Sequence, residues 1–154
     1  TESGAPEQQR LMPTHAEIKT LPFSPQQMFD MVADVERYPE FLPWCVATRI
    51  RTSSDDEMVA DMAIGFKMFR EQFTSHVHLN NPNRIDVEYK NGPFKYLENH
   101  WVFDEAEGGG CLVDFHVDFE FRSKLLEKAI GKVFTDAVHR MVTAFEKRAE
   151  TLYG

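Results

Sequence analysis

The sequence has few cysteines and no long apolar run. Its two cysteines, Cys45 and Cys111, are far apart and lack the paired close spacing of a zinc site. A chain of 154 residues can be stable without disulfides, so we predict that both are buried thiols. No uninterrupted apolar run approaches the ~20 residues that a membrane-spanning helix needs. These absences argue against a disulfide scaffold and an integral membrane protein.

Positive charge is also scarce, with 17 basic against 25 acidic residues and a formal net charge of −8. Such a chain repels nucleic acid and anionic lipid unless a local basic patch overrides the net charge. The first residues, TESGAPEQQRL, lack the pattern of a signal or transit peptide. We expect a disordered tail over residues 1–12, one domain over residues 13–154, and a cytoplasmic protein that is at most peripheral to the inner membrane.

The first half of the domain predicts a strand and two helices. Residues 14–20 form a strand candidate, and Ser24 followed by Pro25 is typical of a helix start. Apolar residues then recur at spacings of three and four until the Tyr38-Pro39 pair, which predicts the end of this helix. Residues 39–41 could form a second, very short helix.

The remainder predicts an antiparallel sheet followed by one long helix. Between Trp44 and about Arg122, alternating runs are separated by the turn-rich stretches SSDDE, NNPN, NGP and EGGG, which indicates six strands. Residues 123–150 carry an apolar stripe at helical spacing, with Ser123 as N-cap. A long sheet tends to curl, so the sequence predicts an α+β fold in which a curved sheet grips the C-terminal helix.

The stretch YPEFLPWC, residues 38–45, is rich in large apolar side chains although two prolines prevent it from forming a long regular element. A curled sheet around one helix leaves space at its open end. Two interpretations follow from the residues alone. The segment is either a plug that completes the core or a lid over an apolar cavity.

Motifs for catalysis and metal binding are weak. There is no GxSxG motif, and the glycines at 108–110 precede a strand rather than a helix, which indicates a hairpin turn. His76 and His78 share a strand face, but no third ligand lies at a recognisable spacing. We therefore expect no metal and no catalytic cofactor.

Acid and base groups also fail to converge. Alternation places three polar residues on apolar strand faces: Glu71, Lys95 and Asn99. Because an unpaired buried charge is costly, we expect them at strand ends or paired at the rim. Glu98 and His100 share a face, but Trp101 takes the other side of that strand, so the pair is expected on the solvent side. The sequence predicts a binding protein and not an enzyme.

Five segments in order resemble the coenzyme Q-binding, START-like family of the polyketide cyclase and dehydrase superfamily. They are VADVERYPEFLPWC, GFKMFREQFTSHV, GPFKYLENHW, CLVDFHVDFEF and AFEKRAETLYG, and the resemblance covers residues 13–154. It implies a helix-grip fold with a seven-stranded antiparallel sheet, two short helices after the first strand, and a lipid cavity between the sheet and the C-terminal helix. With no mitochondrial presequence in this sequence, a bacterial version or a mature form is implied.

The resemblance and the strand alternation together give a set of binding residues. Those expected at the cavity entrance are Tyr38, Phe41, Leu42, Pro43 and Trp44. Those expected on the inner face of the sheet are Phe73, Val77, Leu97, Trp101, Phe103, Phe115, Val117 and Phe119. Those expected on the helix floor are Phe134, Val138 and Met141.

The resemblance implies two alternative functions. Members of the family bind a polyisoprenoid quinone, ubiquinone, and support respiratory electron transfer and quinone biosynthesis. Bacterial relatives include a ribosome-association toxin that binds the large ribosomal subunit and blocks subunit joining. A stripe formed by Lys124, Lys128 and Lys132 could contact either ribosomal RNA or an anionic membrane surface, although a solvated helix face also explains it.

Overall fold

The computed structural model describes residues 14–66 and 68–154, so the predicted tail over residues 1–12 lies outside the described residues. The strands are β1 (Thr14–Leu21), β2 (Cys45–Ser53), β3 (Glu57–Phe66), β4 (Phe69–Asn80), β5 (Arg84–Lys90), β6 (Phe94–Glu105) and β7 (Cys111–Phe121). The helices are α1 (Pro25–Ala33), a 3₁₀-helix (Val35–Glu40), α2 (Lys124–His139) and α3 (Met141–Tyr153).

All seven strands form one curved antiparallel sheet in the order β1-β7-β6-β5-β4-β3-β2. The six strands predicted after Trp44 and the α+β helix-grip architecture are confirmed. Because consecutive strands run in opposite directions, their turns alternate between the two ends of the sheet. The β3–β4 turn, the β5–β6 turn and the start of α2 share one end, which we call the α2 end.

Strand alternation sets the inner face of the sheet. In β7, Cys111, Val113, Phe115, Val117, Phe119 and Phe121 are buried, as the sequence pattern predicts. In β6 the pattern shifts at its first residues, where the register with β7 is irregular between Phe94 and Tyr96. Phe94 is therefore buried, and Lys95 is exposed 4.0 Å from Glu120. Lys95 thus lies at a strand end, as expected, and its partner is Glu120 and not one of the other two polar residues.

The first helix begins as predicted but ends early. Ser24 Oγ accepts a hydrogen bond from Gln27 N at 3.0 Å, and Ser24 N donates to Gln27 Oε1, which completes a capping box. The helix ends at Ala33, not at Tyr38, because Asp34 leaves helical geometry at ψ 68°. The 3₁₀-helix that follows contains Pro39, so the prediction of a separate helix starting at that proline is wrong.

The C-terminal helix is divided at Arg140. Arg140 has φ −102° and ψ 4°, and its N–H donates to the carbonyls of Ala137 and Val138. The predicted continuous helix over residues 123–150 is therefore two helices, α2 and α3. The apolar stripe continues across the break, since Val138, Val142 and Phe145 are all buried.

The core lies between the concave face of the sheet and the helices. Both cysteines are free and buried, as predicted, and burial raises the pKa of Cys45 to about 12 and that of Cys111 to about 11. The inner face of β1 is polar instead. Lys19 Nζ lies 2.6 Å from Glu146 Oε1 on α3, and the ring of His15 stacks on that of His139 at 4.4 Å. Within the described ranges, no helix has the length and apolar composition needed to cross a bilayer.

Candidate functional site

A large cleft opens beside residues 38–45, which we call the lid segment. Its volume is about 1070 Å³. Phe41, Leu42 and Trp44 of the lid segment form one wall, and Phe66 at the end of β3 adds to it. The opposite wall is the junction of α2 and α3, around Met141. The cleft is large enough for a drug-sized ligand or a lipid tail.

A second, inner cavity lies deeper, between α3 and the concave face of the sheet. Its volume is about 20 Å³, which has room for a single water molecule. Apolar side chains dominate its lining, among them Val77, Trp101 and Phe145. The protein is thus described in a closed form, in which the space predicted between sheet and helix is almost filled.

Two side chains separate the cleft from the inner cavity. Trp44, at the end of the lid segment, and Met141, the first residue of α3, line both spaces. We call this pair the gate. Trp44 is held in place because its carbonyl accepts a hydrogen bond from Gly65 N at 2.9 Å. Met141 directly follows the helix break. Both side chains therefore border the cleft on one side and the inner cavity on the other.

The predicted binding residues fall into three groups. Those that line the cleft are Phe41, Leu42, Trp44 and Met141, together with Pro43. Those that line the inner cavity are Tyr38, Trp44, Val77, Trp101 and Met141. The other eight are buried in the core: Phe73, Leu97, Phe103, Phe115, Val117, Phe119, Phe134 and Val138. Their part in binding stays a prediction.

Phe145 organises the closed site, although it is absent from the predicted set. Its ring meets Tyr38 at 5.4 Å, Phe41 at 5.1 Å and Trp101 at 5.1 Å between centroids, each nearly edge to face. One side chain of α3 therefore contacts both the lid segment and the sheet. Its position in the three-four stripe of the C-terminal helix was visible in the sequence, but the pattern does not show which stripe residue meets the lid segment.

Polar groups are few in the inner cavity, and they come from the sheet. Asn99 is 8% exposed; its Nδ2 donates to the carbonyl of His116 at 3.0 Å, and its Oδ1 accepts from Trp101 Nε1 at 2.9 Å. Asn99 therefore lies inside the fold and is hydrogen-bonded, whereas we expected a strand end or rim. Ser75 Oγ donates to the carbonyl of Ala60 at 3.2 Å.

Two tyrosines complete this polar set. Tyr38 Oη donates to the carbonyl of Val32 at 2.5 Å, and Tyr89 lines the same cavity from β5. Burial raises the pKa of both phenols well above the usual range, so both hydroxyls stay protonated at neutral pH. The cavity can thus offer hydrogen bonds to an oxygen-bearing ligand without placing a charge inside the fold.

A charged latch ties the lid segment to α3. Glu40 Oε1 accepts a hydrogen bond from Arg148 at 2.5 Å, and Glu40 Oε2 accepts one from Arg37 at 3.0 Å. The Arg148 guanidinium also lies 5.1 Å from the centre of the Phe41 ring. The hydrogen bonds from Arg37 and Arg148 hold the pKa of Glu40 below its usual value. The latch adds to the closure that Phe145 provides.

The other candidate catalytic groups lie outside this site. Glu98 and His100 are on the outer face, as expected, where His100 Nδ1 lies 2.5 Å from Asp86 Oδ1. His76 and His78 share that face. In the part of the chain that the structure describes, no group of three or more histidine, cysteine, aspartate or glutamate side chains is arranged to hold a metal.

The chain matches one known protein family over most of its length. Residues 21–146 match the family described as polyketide cyclase / dehydrase and lipid transport. The chain belongs to this family. The resemblance seen in the sequence is confirmed, and relatives within the family carry two kinds of name.

The relatives named for ribosomes and for coenzyme Q are similarly distant. The ribosome association toxin RatA of Escherichia coli K12 is 36% identical over 144 residues, covering 94% of this chain and 91% of the toxin. The mitochondrial coenzyme Q-binding protein COQ10 homolog B of Xenopus laevis is 34% identical over 144 residues, covering 91% of this chain and 59% of that protein. Sequence identity alone does not decide between ribosome association and coenzyme Q binding.

Solved structures support the fold. The Zhui aromatase/cyclase from Streptomyces sp. R1128 superposes with a TM-score of 0.78 at 14% identity, covering 90% of this chain and 94% of that one. At this identity the match shows the shared architecture and carries no activity across. Proteins named for binding and a protein named as an aromatase/cyclase thus share one helix-grip fold.

Proposed function

We propose that this protein binds a polyisoprenoid quinone, ubiquinone, and carries it in support of respiratory electron transfer and quinone biosynthesis. The observation that carries the proposal is the gate. A cleft of about 1070 Å³ is separated from a buried, aromatic cavity by Trp44 and Met141. The 34% identity to a coenzyme Q-binding protein supports the same ligand class.

The two spaces suit the two parts of such a ligand. The apolar wall of the cleft, formed by the lid segment, would bury isoprenoid tail, while Asp136, Arg140 and Lys147 add charge on the helix side. Each buried CH₂ contributes about 0.8 kcal/mol before ordering costs. The inner cavity would receive the quinone head. Quinone carbonyls accept hydrogen bonds, and the side-chain donors there are the Tyr89 hydroxyl and the second Nδ2 hydrogen of Asn99, whereas the Ser75 hydroxyl already donates to Ala60. At about 20 Å³ the cavity must expand on loading, so binding requires the gate to open.

Binding without catalysis is the proposed mode. Among the described residues that line the inner cavity, the ionisable side chains are Tyr38 and Tyr89, and burial keeps both protonated. Proton transfer at neutral pH needs a group whose pKa lies near the working pH. The eight core residues of the predicted set would act by shaping the cavity once it has expanded. We place the protein in a bacterial cytoplasm, in transient contact with the inner membrane.

Tryptophan fluorescence tests this proposal directly, because the chain has two tryptophans and both line the inner cavity. Trp44→Phe leaves Trp101 as the reporter, and Trp101→Phe leaves Trp44. A short-tailed ubiquinone, which quenches nearby indoles, should quench both variants with the same apparent Kd. The expectation follows because one ligand in the expanded cavity contacts both positions.

The two reporters also distinguish specific from surface binding. Trp101 is 2% exposed, whereas Trp44 is half-buried at the cleft. Quenching of Trp44 with none of Trp101 would show a ligand that stays in the cleft, and it would contradict the proposed head-group site. The matched control is a saturated hydrocarbon chain without a quinone ring, which should fill the same space without quenching.

Ribosome association is the second candidate. It is favoured by the 36% identity to RatA and by the exposed stripe of Lys124, Lys128 and Lys132 on α2. This function would depend on surface charge, so Trp101→Ala would leave it nearly unchanged while charge reversal of the stripe would abolish it. Co-sedimentation of the folded protein with the large ribosomal subunit measures it.

A further inference from the structure

The α2 end of the molecule collects exposed apolar tips that no packing explains. Met68, in the β3–β4 turn, is 96% exposed, and Leu125, in the first turn of α2, is 78% exposed. Single exposed apolar residues are normal on protein surfaces. These two, however, lie on tips at one end of the sheet, with Val133 of the cleft wall also 38% exposed on α2.

Contacts within the α2 end hold these tips in a fixed relation. Phe66, at the end of β3, packs on Phe134 of α2 at 6.5 Å between ring centroids. Arg122 N donates to the carbonyl of Pro93 at 2.8 Å, which joins the β5–β6 turn to the start of α2. The elements that carry the tips are therefore joined at this end, and the cleft includes Phe66 and Val133.

Charge is separated along the molecule. Lys124, Lys128 and Lys132 are exposed at intervals of one helical turn, and no ion pair between described residues includes them. The turns at the opposite end carry acidic groups instead: Asp55, Asp56, Glu57, Asp104, Glu105 and Glu107. A chain with net charge −8 thus presents a cationic stripe at the end where the cleft begins.

We propose that the α2 end docks on an anionic lipid bilayer, with Met68 and Leu125 entering the interface and the lysine stripe resting on lipid phosphates. This inference rests on the proposed quinone function and adds the surface from which the ligand is collected. Aliphatic tips at the same end as a lysine stripe suit the boundary between headgroups and acyl chains. They offer nothing to a phosphate backbone of RNA, which is bound through charge and hydrogen bonds.

Docking in this orientation would place the cleft against the membrane. Phe66 and Val133 would then lie beside the acyl region, and an isoprenoid tail could pass from the bilayer into the cleft without crossing water. The acidic turns at the far end would point away from the anionic surface. Both features follow from one orientation, which the charge separation selects.

Vesicle flotation tests the surface. The full chain is mixed with vesicles of phosphatidylcholine, with and without phosphatidylglycerol, at low and at physiological salt. We expect binding to the anionic vesicles only, weakened by salt. Changing the stripe to Lys124→Glu, Lys128→Glu and Lys132→Glu should lower the vesicle affinity at least on the order of a hundredfold, because each lysine contributes roughly a factor of five.

The apolar tips have their own matched pair of variants. Met68→Ser with Leu125→Ser should weaken vesicle binding even at low salt, because it removes the inserted groups. Ile18→Ser with Leu112→Ser changes exposed apolar residues on the outer face of the sheet and should leave binding unchanged. For charge, Asp55→Lys, Glu105→Lys and Glu107→Lys alter net charge by the same magnitude in the opposite direction at the far end, and they should change binding far less than the stripe variant.

The tryptophan quenching described above separates this proposal from the proposed function. Quenching by short-tailed quinone with no flotation of the wild-type protein would overturn the docking surface and leave the quinone site standing. Flotation that survives the stripe variant would overturn the assignment to the α2 end. Flotation that the stripe variant abolishes, without any quenching, would support the surface and overturn the quinone ligand. Stripe-dependent binding to the large ribosomal subunit, with none to vesicles, would overturn docking on lipid in favour of RNA.

Discussion

At the scale of single residues, the interior of this protein combines apolar packing with a few neutral hydrogen-bonding groups. Asn99 bridges two strands, since it donates to the carbonyl of His116 on β7 and accepts from Trp101 on its own strand. Ser75 and two protonated tyrosines lie around the same cavity. The interior therefore offers polarity without charge, which suits a neutral ligand with carbonyl oxygens.

The Asn99 bridge makes a stability prediction. Asn99→Leu removes both hydrogen bonds and leaves the Trp101 indole N–H buried without its partner. We expect the free energy of unfolding to fall by about 1–3 kcal/mol, measured by urea denaturation. The neighbouring Glu98→Leu, on the exposed outer face, should change it by roughly 0.5 kcal/mol or less. An Asn99→Leu protein as stable as the wild type would show that the amide is not structural.

Sequence patterns predict the burial of some individual residues correctly and of others wrongly. Alternation correctly places Phe115, Val117 and Phe119 in the core. It also places Asn99 and Lys95 on one inner face, yet the register irregularity between Phe94 and Tyr96 moves Lys95 out and brings Phe94 in. Such an irregularity depends on how β6 meets β7, so no pattern within β6 alone reveals it.

At the scale of elements, the candidate site lies where the lid segment meets the junction of α2 and α3. The 3₁₀-helix ends at Glu40, so the backbone of the lid segment is irregular from Phe41. Helix α3 begins directly after the break at Arg140. Trp44 comes from the lid segment and Met141 from α3. Both gate residues therefore lie next to irregular backbone, beside a regular seven-stranded sheet.

The latch between these elements predicts a pH dependence. Glu40 binds Arg148 only as a carboxylate, and its lowered pKa means that this stabilisation is present above the ordinary value of 4.5 and is lost as pH falls through the lower folded value. Glu40→Gln should therefore release bound quinone faster than wild type at neutral pH, and acidification should accelerate it less. Stopped-flow transfer from loaded protein to acceptor vesicles measures both rates.

The control for the latch is in the same short helix. Glu36 is exposed and forms no ion pair with another described residue. Glu36→Gln removes the same charge and should leave the release rate unchanged. Equal rates for Glu40→Gln and wild type would show that Phe145 and the lid side chains alone keep the site closed.

Sequence patterns predict the start of α1 but not the break between α2 and α3. Ser24 and Pro25 mark the start of α1, and the structure confirms both. The break at Arg140 lies in the sequence AVHRMV, with neither proline nor glycine to signal it. The apolar stripe continues through the break because both helices pack on the same concave sheet, so the periodicity reads as one helix.

At the scale of the whole molecule, a helix-grip scaffold carries an open cleft, a nearly filled inner cavity and an exposed lysine stripe. The order of strands, the curved sheet and the C-terminal helical region follow from the turn punctuation, the alternation and the family motifs, and the structure confirms them. The closed state does not follow from sequence. Whether side chains fill a concave sheet depends on the packing of Phe145 against rings from the lid segment and from β6, which only the assembled fold defines.

Solvent extraction of the natively folded, freshly purified protein, followed by mass spectrometry of the extract, tests the central claim most directly. The account predicts quinone in stoichiometric amount, because dissociation requires the gate to open and the tail to leave an apolar cleft. A protein that is empty, that takes up no added quinone and that co-sediments with the large ribosomal subunit would contradict it. The lid segment would then be a plug for the core.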